Sequence, residues 1–115
     1  MYVDYLPKIS DLATRDFFPH CGTLFWVARF APPGPLVELG VRGGDSTRSL
    51  FCGAKDSGRQ LYSYDVNDCE EPVTRLSASI GLKMDCDWIF EIKDSVQAAA
   101  DWNGFPASLV FIDTT

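Results

Sequence analysis

The 115-residue chain has room for one domain, large enough to bury a hydrophobic core. Its 16 acidic and 10 basic residues give a net charge of -6, and the basic residues are scattered singly along the sequence. Scattered cations do not attract phosphate backbones or anionic lipid, so we expect a small-molecule substrate rather than nucleic acid or a membrane. No run reaches the roughly 18 apolar residues of a membrane span. Charges also interrupt the N-terminus where a signal peptide needs an apolar run, which predicts a cytoplasmic protein.

The cysteines indicate neither a metal site nor a redox motif. Cys21, Cys52, Cys69 and Cys86 form no CxxC pair, and His20 is the single histidine of the chain. Zinc sites and dithiol motifs need closer and more regular spacing of these residue types. We interpret all four as reduced thiols and expect no metal ligands among them.

Residues 1–35 are predicted to form a helical segment followed by a proline-rich linker. Apolar residues from Asp11 to Phe30, interrupted by Pro19, predict two short helices, the second from about His20 to Phe30. The aromatic residues of the second helix recur at helical spacing, which is typical of core residues rather than of a substrate wall. The sequence APPGP then breaks the chain.

From residue 36 onward, short apolar runs alternate with helical patterns. This alternation predicts an α/β fold, with parallel strands joined by right-handed crossovers and helices covering the sheet. Ligands of such sheets bind beyond the carboxyl ends of the strands, so the residues after each strand are candidates for function. The predicted strands are Leu36–Leu39, Leu61–Val66, Trp88–Ile92 and Leu109–Ile112, and the predicted helices are about Ser46–Ala54, Glu71–Ile80 and Ser95–Trp102.

The first predicted strand runs into a glycine-rich turn with the sequence VELGVRGGDST. Glycines permit a sharp turn and a close approach of the backbone to a ligand. Ser46 or Thr47 could cap the helix that follows. Such a turn on its own is equally typical of a purely structural loop. The glycines concerned are Gly40, Gly43 and Gly44.

The turn favours a ligand with an ammonium group over a dinucleotide. In the dinucleotide fingerprint GxGxxG the second glycine makes room for a pyrophosphate, and Arg42 stands at that position here. Glu38 precedes the first glycine by two residues, and a buried carboxylate there would repel a diphosphate but would suit an ammonium group. S-adenosylmethionine carries an ammonium group and no phosphate.

An acidic residue lies at the end of each of the other predicted strands. Asp65 comes about 25 residues after the first glycine of the turn, close to the spacing of roughly 20 residues at which a carboxylate binds a ribose diol. The alternative for Asp65 is a solvent-exposed turn acid. Asp94 follows the third strand, where it could also cap the next helix, and Asp113 follows the fourth.

The segments ELGVRGGDST, YSYDVND, KDS and FIDTT resemble motifs I to IV of class I S-adenosylmethionine-dependent methyltransferases, especially the bacterial small-molecule O-methyltransferase-like branch. The resemblance covers about Leu36 to Thr115. It implies a Rossmann-like open parallel sheet with strand order 3-2-1-4 and flanking helices, formed by residues 36–115 as a cofactor-binding half domain.

The resemblance also implies roles for individual residues in binding S-adenosylmethionine. Glu38 and Gly40 would hold the methionine end, and Asp65 would bind the ribose hydroxyls. Asp94 and Ser95 would meet the adenine edge. Asp113 would be the catalytic acid of motif IV, which in some relatives binds a metal or faces the reacting methyl group. The remaining cofactor-binding candidates are Arg42, Gly43, Gly44, Ser46 and Val66.

Members of this family continue beyond motif IV through three more strands that shape the acceptor pocket, whereas this sequence stops two residues after Asp113. We therefore expect either a fragment or a sheet completed by a second chain, which could be another copy of this chain in a homo-oligomer. Without such a partner the fourth strand would be an open edge. The leading hypothesis is methyl transfer to an oxygen or nitrogen of a small molecule or sugar. The alternatives are a non-catalytic cofactor-binding module and an NAD-dependent oxidoreductase, which Glu38 and Arg42 disfavour.

Overall fold

The structure, a computed structural model, describes residues 1–102 and 106–113. Two short 3-10 helices, Tyr2–Tyr5 and Phe18–His20, precede the first two α-helices. The α-helices are α1 (Leu6–Leu12), α2 (Cys21–Phe30), α3 (Asp45–Ser57), α4 (Glu70–Ala78) and α5 (Ser95–Asp101). The strands are β1 (Leu36–Leu39), β2 (Leu61–Asp65), β3 (Trp88–Ile92) and β4 (Leu109–Ile112).

The four strands form one parallel sheet in the order β3-β2-β1-β4. The predicted α/β class, Rossmann-like topology and strand order are thus confirmed. In the register of the sheet, Leu36 pairs with Leu61 on one side and with Leu109 on the other. Because all strands run the same way, their carboxyl ends meet at one edge, and the acids that follow them are brought to that edge.

The predicted bounds are correct for three strands and approximate for the helices. β2 ends at Asp65, so Val66 lies outside the strand in which it was predicted. α3 continues to Ser57, further than predicted, and ends where Gly58 adopts a left-handed conformation with φ 70°. α4 and α5 begin and end within about two residues of their predicted bounds, the usual uncertainty of helix ends.

At the start of the chain, the second predicted helix is confirmed as α2, but the prediction for the first helix was wrong. α1 spans Leu6–Leu12 and therefore begins well before Asp11, where the first helix was expected. Pro7 lies in the first turn of α1, where its missing N–H removes no helical hydrogen bond. Pro19 lies within the 3-10 helix that leads directly into α2. The helical content of this segment is therefore greater than the prolines suggested.

The main hydrophobic core lies between one face of the sheet and helices α1 to α4. α2 packs closely on α3 at Gly53, where a Cβ atom would come within 2.6 Å of the Phe25 carbonyl oxygen. Of the apolar residues predicted as core in α2, Phe25 is fully buried, but Val27 and Phe30 are exposed. The core prediction is wrong for those two residues because α2 is apolar on both faces and only one of them meets α3.

The opposite face of the sheet carries a smaller cluster covered by α5, in which Val37, Tyr64 and Ala98 are buried. On the edge strand β4, Val110 and Ile112 are exposed. The four cysteines are free thiols, and Cys86 is exposed. Within the described ranges, no helix has the length and apolar character needed to cross a membrane.

Candidate functional site

The turn after β1 contains three residues with positive φ: Gly40 at 96°, Arg42 at 54° and Gly44 at 89°. Arg42 is the exception, because a residue with a side chain rarely adopts this conformation and is strained in it. A Cβ atom at Gly44 would lie 2.8 Å from Cγ2 of Val73 on α4. At Gly43 a Cβ atom would have no neighbour within 4 Å. The backbone thus requires glycine at positions 40 and 44, but not at 43.

Glu38 lies beneath the turn and is fully buried. Its Oε1 accepts hydrogen bonds from Thr47 Oγ1 at 2.7 Å and from Ser63 Oγ at 2.8 Å, and its Oε2 accepts one from Ser46 Oγ. Trp88 Nε1 donates to Ser63 Oγ at 2.9 Å. This network joins β1, β2, β3 and the first turn of α3 around one carboxyl group.

The prediction that Ser46 or Thr47 caps α3 was therefore wrong. The N-cap residue is Gly44, which makes no side-chain capping bond. The two hydroxyls donate to Glu38 instead. Leaving a buried carboxyl group without hydrogen-bond donors costs more free energy than leaving the first N–H groups of a helix without a side-chain cap.

Burial raises the pKa of Glu38 from 4.5 to about 7. The three hydroxyl donors lower this pKa, but not enough to offset burial, and the nearby charge of Asp113 raises it further. The carboxyl group is consequently protonated in part near neutral pH. Glu38 stands under the turn as a member of a protein network, not on a surface that a ligand can reach.

Asp65 holds the turn from the side of β2. Its Oδ2 accepts hydrogen bonds from the backbone N–H of Val41 at 2.8 Å and of Arg42 at 3.1 Å, and its Oδ1 accepts one from Asn67 at 2.9 Å. Burial raises the pKa of Asp65, but these backbone donors outweigh it and hold the pKa below 3.8. With 8% of its surface exposed, Asp65 is not the solvent-exposed turn acid of the alternative interpretation.

A cavity of about 260 Å³ opens beyond the carboxyl ends of the strands. Most of the predicted site residues line it. Four predicted residues in or next to the glycine-rich turn do not: Glu38, Gly43, Gly44 and Ser46. The predicted residues on its wall are Gly40, Arg42, Asp65, Val66, Asp94, Ser95 and Asp113.

The sequence prediction missed four residues of the cavity wall: Leu39, Tyr64, Asn67 and Lys93. Each lies within about two residues of a predicted strand end, so widening the search at those ends would have found them. Lys93 Nζ forms ion pairs with Glu91 Oε2 at 2.9 Å and Asp101 Oδ2 at 3.0 Å. Its charge is therefore largely balanced by neighbours from β3 and α5.

Asp94 both caps α5 and lines the cavity. Its Oδ1 accepts a hydrogen bond from the backbone N–H of Gln97 at 2.7 Å, the geometry of an N-cap. The capping alternative is confirmed by this bond. It does not remove Asp94 from the cavity wall, which also includes the adjacent Ser95.

Asp113 follows β4 at the other end of the cavity. Its backbone N–H donates to the Leu39 carbonyl at 2.8 Å, which continues the pairing of β4 with β1. Thr114 and Thr115 of the predicted fourth motif lie outside the described residues. Over residues 1–102 and 106–113, no group of three His, Cys, Asp or Glu side chains is placed to hold a metal ion.

No protein-family model and no curated protein matches the chain. Among solved structures, it is similar to that of cofactor-bound Rv0187 from MTB, with a TM-score of 0.68 and 21% sequence identity. The likeness covers 98% of this chain and 53% of the other, so the chain spans about half the length of that protein. It agrees with the Rossmann-like fold of the sheet.

Proposed function

We propose that the cavity binds S-adenosylmethionine and that the chain is the cofactor-binding part of a methyltransferase. The observation that carries the proposal is that Gly40, Asp65 and Asp94, from three successive strand ends, line one cavity at the carboxyl edge of the parallel sheet. Such an edge is where open α/β sheets bind their ligands. The likeness to a cofactor-bound structure adds support.

The charges on the cavity wall suit a cationic ligand better than a diphosphate. Asp65, Asp94 and Asp113 contribute three carboxyl groups, against the cations of Arg42 and Lys93. Lys93 is already paired with two acids. A dinucleotide would bring two phosphate charges into this acidic surrounding, whereas S-adenosylmethionine brings an ammonium and a sulfonium group. NAD is the less favourable ligand for this reason.

Asp65 is the proposed partner of the ribose hydroxyls. A carboxylate has about four acceptor positions, and backbone amides take three of them at Asp65. The Cys69 thiol also hydrogen-bonds to this side chain, but a thiol is a weak donor that a ribose hydroxyl can displace. The same amides keep the carboxylate ionised and fixed in place. Asp94 and Ser95 stand next to it on the wall, in the position proposed for the adenine edge.

The role proposed for Glu38 changes from ligand contact to support. Its oxygens are bound by three hydroxyls and its side chain is fully buried, so it positions β1 and α3 below the turn. Asp113, at the β4 side of the cavity, then becomes the acid proposed to lie near the cationic end of the ligand. S-adenosylmethionine supplies an electrophilic methyl group for in-line displacement, to which the protein contributes mainly positioning.

We propose an oxygen or nitrogen of a small molecule or sugar as the methyl acceptor. A second candidate function is cofactor binding without catalysis. The two candidates predict the same ligand affinity and differ in turnover. Single-turnover methylation assays with radiolabelled S-adenosylmethionine and phenol, sugar or amine acceptors would distinguish them.

Calorimetric titration of the chain with S-adenosylhomocysteine, and separately with NAD, tests the proposed ligand. We expect measurable binding of S-adenosylhomocysteine and weaker binding of NAD. Asp65→Ala should weaken the first by about tenfold to a hundredfold, the loss expected when charged hydrogen bonds to a diol are removed. Asp68→Ala is the matched control, because Asp68 is a nearby acid that is absent from the cavity wall.

Asp65 also holds the turn, so the fold of its variant must be verified by circular dichroism, and Asp94→Ala provides a second variant on the same wall. Tighter binding of NAD than of S-adenosylhomocysteine would contradict the proposal. Equal affinities of the folded Asp65→Ala and Asp68→Ala variants would remove Asp65 from the site.

A further inference from the structure

Helix α2 is apolar on two opposite faces, and only one of them is covered. The inner face consists of Cys21, Phe25 and Ala28, which are fully buried against the core. The outer face consists of Trp26, Val27 and Phe30, of which 42%, 44% and 72% of the surface is exposed. The outer residues are spaced by three and four positions, as are the anchors of helices that bind to a partner.

The helix that carries the outer face is packed closely against α3. Gly53 lets α3 approach so closely that a Cβ atom there would lie 2.7 Å from Ala28 Cβ. Just beyond the end of α2, the Arg59 guanidinium donates to the carbonyl oxygens of Ala31 and Pro32. A surface that is ordered in advance loses little conformational entropy when it binds.

The side chains on this face are those that are enriched in protein interfaces. The rings of Trp26 and Phe30 are stacked, with centroids 5.7 Å apart and planes inclined by 13°. The guanidinium carbon of Arg29 lies 5.5 Å from the Trp26 ring and 5.2 Å from the Phe30 ring. Aromatic residues and arginine are over-represented at interface hot spots, while acidic residues are depleted there.

The charge of the surrounding sequence points to the kind of partner. The chain has 16 acidic residues and a net charge of -6, yet none of them lies between Asp16 and Glu38. Two copies of so acidic a chain repel each other over most of their surfaces. If two copies contact each other through the segment that carries α2, no carboxylate of that segment faces a carboxylate of the other copy's segment.

We propose that the outer face of α2 binds the same face of a second copy of this chain, forming a two-fold dimer. A two-fold interface uses one patch twice, so a self-compatible patch without acids meets its requirement. The three large side chains form a smaller area than the roughly 800 Å² per partner of a standard interface, so the dimer is weak, with a Kd in the micromolar range.

Sedimentation velocity of the full chain, over loading concentrations from about 5 to 500 µM, tests the dimer. We expect the mass to rise from that of the 12.8 kDa monomer toward twice that value. Phe30→Glu and Val27→Glu should each raise the dimer Kd at least about tenfold, because each places a carboxylate at the centre of the patch. Both side chains are exposed, so the variants are expected to fold.

Leu76→Glu is the matched control, because Leu76 is an exposed apolar residue on α4, outside the proposed face. It should dimerise like the wild-type chain. Val110→Glu tests the competing interface at the open edge of β4. A wild-type chain that remains monomeric at the highest concentration would overturn the proposal, as would a dimer that Val110→Glu dissociates and Phe30→Glu does not.

Discussion

Helices α1 to α4 cover one face of the sheet, whereas α5 is the single helix of the described residues that lies over the other. The first face has a continuous core to which each of its four helices contributes fully buried side chains. The second face has the small cluster around Tyr64 and a groove of about 240 Å³ that extends to Val110 on the edge strand β4. The proposed cofactor cavity lies at the sheet edge where both faces meet.

This difference indicates which parts of the cavity are fixed in advance. The turn after β1 depends on the first face, because Gly44 is in close contact with Val73 and Glu38 is bound to α3. Asp113 follows β4, whose side chains are more exposed. We therefore expect substitutions under the turn to have large effects on stability, and substitutions along β4 to have small ones.

The largest effect is predicted for Gly44→Ala, which should lower the free energy of unfolding by about 3 kcal/mol. The new Cβ atom would overlap the Val73 side chain at 2.8 Å, and the residue would have to keep its positive φ of 89°. Gly43→Ala is the control, since its Cβ atom meets no neighbour within 4 Å. Urea unfolding of both variants measures the difference, and similar losses would show that the close contact does not determine the turn.

The next effect concerns Glu38 and depends on pH. Its pKa is about 7 in the folded chain and 4.5 in the unfolded chain, so between these values the unfolded state loses its proton first. The folded state binds the proton more tightly, so the stabilisation that this group contributes is fully present below pH 4.5 and is lost as the pH rises through 7. The expected loss from this one group is about 3 kcal/mol.

Glu38→Gln removes this titration while keeping an amide that can bond to the same hydroxyls. The stability of the variant relative to the wild-type chain should therefore improve by about 3 kcal/mol between pH 4 and pH 8. Carboxyl groups with lowered pKa values, such as Asp65 and Asp85, change stability at more acidic pH and do so in both proteins, so they cancel in the comparison. Parallel stability profiles across this range would show that the pKa of Glu38 is not raised.

The sequence was sufficient to predict the fold and most of the cavity wall. Alternating apolar runs specify parallel strands, and the strand ends then place Asp65, Asp94 and Asp113 at one edge without knowledge of side-chain contacts. These features depend on the order of residues along the chain. They can be predicted without knowing which residues pair between neighbouring strands.

What the sequence could not predict are the features that depend on contacts between distant residues. The hydroxyl network of Glu38 includes Ser63, whose part in it becomes apparent only when β2 pairs with β1. The exposure of Phe30 likewise depends on which face of α2 meets α3. The apolar pattern of α2 alone was consistent with a helix buried on both sides.

The smallest effect is predicted where the comparison of the two faces is most direct, at a pair of valines. Val73 on α4 is fully buried in the first core, and Val110 on β4 is 48% exposed on the second face. Val73→Ala leaves a cavity among atoms that are already packed and should lower the free energy of unfolding by about 2 kcal/mol. Val110→Ala removes the same two methyl groups from a side chain that water already reaches, and the loss should stay below about 0.5 kcal/mol. Urea unfolding measures the free energy of unfolding of both variants, at a protein concentration where the chain is monomeric. Equal losses would mean that β4 is as firmly packed as the core, and that the open groove beside it is closed in solution.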